Sequence, residues 1–203
     1  MLKNSVTPKP LEDLLPGDLL ALCQRRSFDV NEMVFHMDSP PKWMFYVIQG
    51  EVILERVSAG GEASCLQRCH TGFLAEASLT STRYHCNARS TRTTELVQMP
   101  LQSIRDRLKS DLMFANRWIQ MLGAELRALR LQNERLSLLR VEERIMHLVQ
   151  TEGKDGRYTL HTSLKQVAQS LGVTHEALYR GLSSLVAKGL LMRDSDAIQL
   201  RHR

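Results

Sequence analysis

The stretch Thr162–Leu185, TSLKQVAQSLGVTHEALYRGLSSL, constrains this 203-residue chain more than any other. Ser163, followed three residues later by Gln166, is a capping box that starts a helix. Leu164, Val167, Ala168 and Leu171 give that helix one apolar face, and the small Ala168 allows a second helix to come close. Gly172 supplies the left-handed residue that ends the first helix, and Thr174 caps the second. On the second helix Leu178, Leu182 and Leu185 recur on the inner face, while His175, Glu176, Tyr179, Arg180 and Ser183 face out. Two short helices joined at a glycine form a helix-turn-helix, whose second helix enters the DNA major groove. Arg180 is then a candidate for bidentate contact with guanine O6 and N7, and Glu176 for accepting from cytosine N4. The same pair at i, i+4 also fits a surface salt bridge, worth a few tenths of a kcal/mol. Tyr179 and His175 are further base-reading candidates, and Ser163, Thr174 and Ser183 are candidates for phosphate.

A second pattern precedes the first. Ala115, Ile119, Leu122, Leu126, Leu129, Asn133 and Leu136 are spaced alternately by four and three. Ile119, Leu126 and Asn133 take heptad position a, and Leu122, Leu129 and Leu136 position d. The seam spans about three heptads, or ~30 Å of helix at ~1.5 Å per residue. An amphipathic helix packed on its own domain would show similar spacing. Asn133 favours a dimer, because a polar residue in a buried seam is satisfied by its twin across a two-fold axis. Arg127, Arg130 and Arg135 fall off the seam and are expected in solvent. The apolar face changes at VEERIMHLV, which predicts a break and hinge near Leu138 to Arg140. Beyond it, Lys154-Asp155-Gly156 reads as a turn, YTL as a short strand and LLMRDSDAIQL as a hairpin, a wing beside the two helices.

From Ser27 to Met99 the pattern is strand-like. MVFHM, MFYVIQGEVILERV, ASCLQRC, TGFLAEASL, YHCNARS and TELVQMP alternate with turn residues, which predicts a small β-barrel or jelly roll. Gly50 marks a tight bend and Gly60-Gly61 a hairpin turn. Leu11 to Arg26, broken by Pro16-Gly17, reads as two short helical pieces. The expected class is therefore α+β: a β-roll over 1–109, a long helix and hinge over 110–139, and a winged helix-turn-helix over 140–203.

The net charge of +5 is compatible with a polyanionic partner without demonstrating one. No apolar run reaches the ~18 residues of a membrane span, and the N-terminus lacks the apolar core of a secretory signal. A cytoplasmic protein is expected, with Cys23, Cys65, Cys69 and Cys86 reduced. No G-x-S-x-G, HExxH, P-loop or paired-carboxylate constellation is visible, so an enzyme is not expected.

Over about residues 11 to 203 the chain resembles the Crp/Fnr family of bacterial transcription regulators. MFYVIQGEVIL, GFLAEASL and VTHEALYRGLSSL carry the likeness. The resemblance implies a cyclic-nucleotide-binding-like roll, a homodimer on palindromic double-stranded DNA and RNA polymerase as a partner. It places Glu176 and Arg180 on the family's base-reading positions and His175 where some members read with an extra arginine. It implies a TGA-like core in each half-site, less stringent at the outer G. Gly181 falls at a usually apolar position, costing ~1 kcal/mol of helix propensity. In the roll, Ala75-Glu76 matches the family's Gly-Glu, so Glu76 is a candidate for a ribose hydroxyl. The family's Arg-Ser/Thr-Ala reads Tyr84-His85-Cys86 here, and tyrosine cannot replace an arginine that supplies both charge and donors to a cyclic phosphate. Arg83 is one residue off, and Arg89 is a distant substitute. Regulation by cyclic AMP is therefore not expected. His85 and Cys86 lie near where haem-binding members place iron ligands, so haem is the alternative ligand, although neighbours on one strand face opposite sides. Cys65, Cys69 and His70 form a second soft cluster, which structural cysteines also explain. A competing function is an effector-sensing module, for haem, redox or a small ligand, whose C-terminal domain contacts protein.

Overall fold

A computed structural model describes residues 8–57, 60–160 and 162–201. The chain divides into two compact units, Met1–Ile119 and Gln120–Arg203, with the boundary inside one continuous helix.

The first unit opens with two short helices, α1 (Lys9–Leu14) and α2 (Gly17–Ala21), separated at the expected Pro16. The helical expectation runs too far, because β1 already begins at Gln24 and covers Gln24–Phe28. Its residues pair along β8 (Thr94–Pro100), and that long-range ladder decides the conformation of a polar segment, Gln24-Arg25-Arg26, with no strand signal of its own. Between them lie β2 (Met33–Phe35), β3 (Trp43–Gln49), β4 (Val52–Val57), β5 (Ala63–Cys69), β6 (Gly72–Leu74) and β7 (Asn87–Ser90). They form two antiparallel four-stranded sheets, β1-β8-β3-β6 and β2-β7-β4-β5. Phe45, Val47 and Leu96 of the first sheet and Val52, Leu54 and Ala88 of the second belong to one buried core, the expected roll. Gly50 makes the β3–β4 bend at φ +104°, where an added Cβ would sit 2.6 Å from the Thr94 Cα. Residues between the expected Gly60-Gly61 turn and β4 include two outside the described residues, 58 and 59.

The segment GFLAEASL is strand only as far as Leu74; Glu76–Thr80 is a 3₁₀ turn. Residues 81–86 are irregular, so the expected strand over YHCNARS starts only at Asn87. Helix α3 (Leu101–Ser110) leads to α4 (Leu112–Ser137). Phe114 and Trp118 at the start of α4 are buried, and Trp118 meets Phe73 edge-on at 5.4 Å, which in turn meets Tyr46 at 5.0 Å. Such aromatic pairs add ~0.5–1.5 kcal/mol each beyond area burial.

The second unit holds the rest of α4, then α5 (Val141–Glu152), β9 (Arg157–Thr159), α6 (Leu164–Ser170), α7 (His175–Ala187), β10 (Leu191–Arg193) and β11 (Ala197–Leu200). The helix ends at Ser137 and restarts at Val141, at the expected break. The three short strands form an antiparallel sheet ordered β10-β11-β9, with the Asp155 and Gly156 turn at positive φ. The core joins Ile145, Leu148 and Val149 of α5 to Val167, Ala168 and Leu171 and to Leu178, Leu182 and Leu185 of α7. Gly181 is buried against α5: a Cβ there would lie 2.8 Å from Ile145 Cδ1 and 3.1 Å from Val141 Cγ1. Close helix–helix approach is the reason for glycine at this point of α7.

Arg135 corrects the sequence reading. It is 2% exposed, not solvated. Its guanidinium donates to His147 Nδ1 and Thr151 Oγ1, both at 3.3 Å, and to a carboxylate oxygen of Glu152. At Arg135 the last turn of α4 meets α5 of the same chain, whereas Arg127 and Arg130 are exposed as expected.

Candidate nucleic-acid interface and effector site

Helices α6 and α7 are built by the local chemistry that their sequences carry. Gln166 N donates to Ser163 Oγ at 3.4 Å and Ser163 N donates to Gln166 Oε1 at 3.2 Å, a closed capping box. Gly172 takes φ +64°, and Ala177 N donates to Thr174 Oγ1 at 3.1 Å to start α7. This presents one face of α7 to solvent: His175, Glu176, Tyr179, Arg180 and Ser183 are all exposed. Ser163 and Thr174 are exposed too.

The salt bridge between Glu176 and Arg180 does not form. Glu176 hydrogen-bonds within its own helix start, first to its own backbone and then to the Thr174 side chain, and these hold its carboxyl below the usual range. It therefore remains an ionised acceptor. Arg180 makes no hydrogen bond or ion pair among the described residues, so its donors stay available. Tyr179 is held from two sides. The His175 ring meets it edge-on at 4.7 Å, and the Arg193 guanidinium of β10 lies 4.9 Å from its centroid. Arg193 was not singled out from the sequence, and only the hairpin fold brings it to α7. Beside this stack a groove is lined by Leu182, Ser183, Val186, Ala187 and Arg193.

The heptad positions of α4 are open. Ile119 is 65% and Leu129 53% exposed, and Leu122, Leu126, Asn133 and Leu136 are exposed as well. A contiguous apolar stripe of this length is what a partner surface looks like.

In the roll, the turn Glu76–Thr80 presents Glu76. Arg105 of α3 closes the far end of that turn, donating to the carbonyls of Ser78 and Ser81, both at 2.7 Å, and Leu79 at 2.9 Å. Ala75, just before it, adopts the left-handed φ 69°. Glu76 is half-buried, its Oε2 has no partner, and burial pushes its carboxyl up. The other candidates diverge from it. Tyr84 is 4% exposed and stacked on Phe35 at 4.1 Å. Its hydroxyl donates to Trp43 O at 2.6 Å and accepts from Trp43 N at 3.2 Å. Arg89 is engaged by Glu55 at 3.0 and 3.1 Å and by Asn31 Oδ1 at 2.7 Å. Arg83 is exposed. No described cation is thus held beside Glu76 in a fork that would receive a cyclic phosphate. His85 is exposed, whereas Cys86 is buried and burial pushes its thiol up. The two are not brought together. Cys65 is exposed and Cys69 buried on one strand. Among the described residues no three His, Cys, Asp or Glu side chains are grouped to hold a metal ion.

Residues 25–111 match the cyclic nucleotide-binding domain family. No curated protein sequence matches the chain. Solved structures share the fold along nearly its whole length. A Silicibacter pomeroyi protein is 23% identical with a TM-score of 0.59, covering 95% of this chain and 90% of that one. FixK2 from Bradyrhizobium japonicum is 21% identical with a TM-score of 0.57, over 89% of this chain and 93% of its own. CLP from Xanthomonas campestris, described as a c-di-GMP responsive global regulator, is 24% identical with a TM-score of 0.50, over 91% and 96%. The first unit therefore contains a cyclic nucleotide-binding-type domain. Over nearly its whole length the chain shares its fold with these structures. Among the described residues no helix is long and apolar enough to cross a membrane.

Proposed function

We propose that this protein is a sequence-specific DNA-binding transcription regulator that acts in the cytoplasm as a homodimer on a palindromic site, without control by cyclic AMP. The observation that carries the reading is the outer face of α7, where an ionised Glu176 and an uncommitted Arg180 stand one turn apart in solvent. Arg180 reads guanine, Glu176 reads cytosine N4, and Tyr179 and His175 contact flanking positions. Ser163, Thr174 and Ser183 hold phosphates. The exposed stripe from Ile119 to Leu136 packs on its twin, with Asn133 paired across the axis. The functional division is sensor roll 1–109, dimer helix and hinge 110–139, and DNA-binding domain 140–203, with RNA polymerase as the further partner. Tyr84, fixed in the core, and Arg89, committed to Glu55, support independence from cyclic AMP. Of the two haem-ligand candidates only His85 is open to solvent.

The test is selection from a random duplex pool, then anisotropy on the selected site. Wild type is expected to select a palindrome, and added cyclic AMP to leave its affinity unchanged. Arg180→Ala is expected to lose ~1–3 kcal/mol and to relax choice at one base pair per half-site. Equal weakening on every sequence would reduce Arg180 to a phosphate contact. A monomer that selects nothing would refute the function itself.

A further inference from the structure

Arg144 of α5 gathers backbone carbonyls from the ends of two other helices. Its Nε donates to Leu138 O at 2.9 Å and its Nη2 to Leu136 O at 3.2 Å, at the end of α4. Its Nη1 donates to Leu171 O at 2.8 Å and to Gly172 O at 3.5 Å, at the end of α6. The last carbonyls of a helix have no partner within it and carry the negative end of its dipole. One planar cationic fork satisfies both ends at once. The ends also meet directly: a Cβ on Gly172 would lie 2.9 Å from Leu136 Cδ2 and 3.3 Å from Arg144 Nη1. Leu136 closes the heptad stripe, and Gly172 is the turn that leads into α7. The covalent link between α4 and α5 is only Leu138, Leu139 and Arg140, outside any helix, with Leu139 93% exposed. That link alone would let α5 swivel.

We infer that Arg144 is a positioning residue that fixes the direction of α7 against the end of α4. Through the two-fold axis it sets the separation of the two reading helices, and with it the half-site spacing the dimer accepts. The inference rests on the DNA-binding dimer proposed above and deepens it. A two-fold reader demands one spacing only if each reading helix is rigidly referred to the dimer axis. Arg144 supplies that reference, with the buried Arg135 as a second tie between α4 and α5.

The test uses the full-length protein and palindromes selected by wild type, with the central spacer changed by one and two base pairs. Wild type is expected to lose about tenfold or more per added or removed pair. Arg144→Lys keeps the charge, but one ammonium cannot span both carbonyl pairs. It is expected to keep the half-site preference and to lose less than about threefold over the same changes. Gly172→Ala keeps Arg144 but strains the turn at φ +64° and crowds Arg144 Nη1 and the tip of Leu136, and is expected to move the optimum spacer. If both variants keep the wild-type optimum and steepness, even with a uniform loss at every spacer, the inference is overturned. A second readout needs no DNA. A spin label at Val186→Cys, with exposed Cys65 replaced by serine, reports the distance between the two α7 helices of the dimer. A narrow distribution that broadens in Arg144→Lys supports the inference, and an unchanged width overturns it. Broadening without any sequence selection by wild type would refute the functional reading alone.

Discussion

Ala75 shows what a single backbone angle costs. At φ 69° its methyl crowds the following carbonyl, in a region that glycine enters without penalty. The family resemblance puts glycine, which takes this angle freely, at the position where this chain has alanine. Ala75→Gly is expected to stabilise the first unit by about 0.5–1 kcal/mol, net of the freedom glycine adds to the unfolded chain. The check is a urea melt, with the midpoint raised and the slope unchanged. The capping residues Ser163 and Thr174 were legible because their bonds reach only three residues ahead. Arg135 was not, because heptad spacing shows which face has an apolar stripe and is silent about which other face the same chain folds over. Arg144 and Arg193 escaped for the same reason: their partners are distant in sequence. Tyr84 was seen as the wrong residue for a phosphate, but its tie to Trp43 lies 41 residues away and no spacing rule reveals it.

Among the elements, α7 is decided by two opposed effects. Glycine at 181 weakens a helix by ~1 kcal/mol, yet the contact with Ile145 and Val141 leaves no space for a larger group. Gly181→Val is expected to destabilise the second unit by about 1–3 kcal/mol through overpacking, measured by thermal melting followed by circular dichroism. The same close approach explains why a usually apolar position could be read in the sequence as a weakness when it is a packing requirement. Strands with their own alternation or apolar runs, such as β3, β4 and β8, were legible. So were the break after Ser137, where the apolar face changes, and the C-terminal hairpin, where turn residues stand between two strand-like runs. β1 was missed because its conformation is imposed by β8. Tyr84, His85 and Cys86 look like the start of the YHCNARS strand because Tyr84 and Cys86 alternate into the core, but they belong to no strand ladder.

For the molecule as a whole, the dimer proposed above ties stability to assembly through the open stripe on α4. A folded chain that covers the exposed parts of Ile119, Leu122, Leu126 and Leu129 against a second copy is stabilised by mass action. The melting midpoint is therefore expected to climb as protein concentration is raised, in step with the dimer fraction seen by sedimentation. A midpoint independent of concentration in a monomeric sample would leave the stripe unexplained. The two units also differ in what can be seen of them. Both tryptophans of the chain, Trp43 and Trp118, lie in the first unit, and Trp118 sits among Phe73 and Phe114. Indole emission is consequently a private signal of the first unit: an α7 substitution that loosens only the second unit will pass unnoticed by fluorescence, while far-ultraviolet ellipticity registers it.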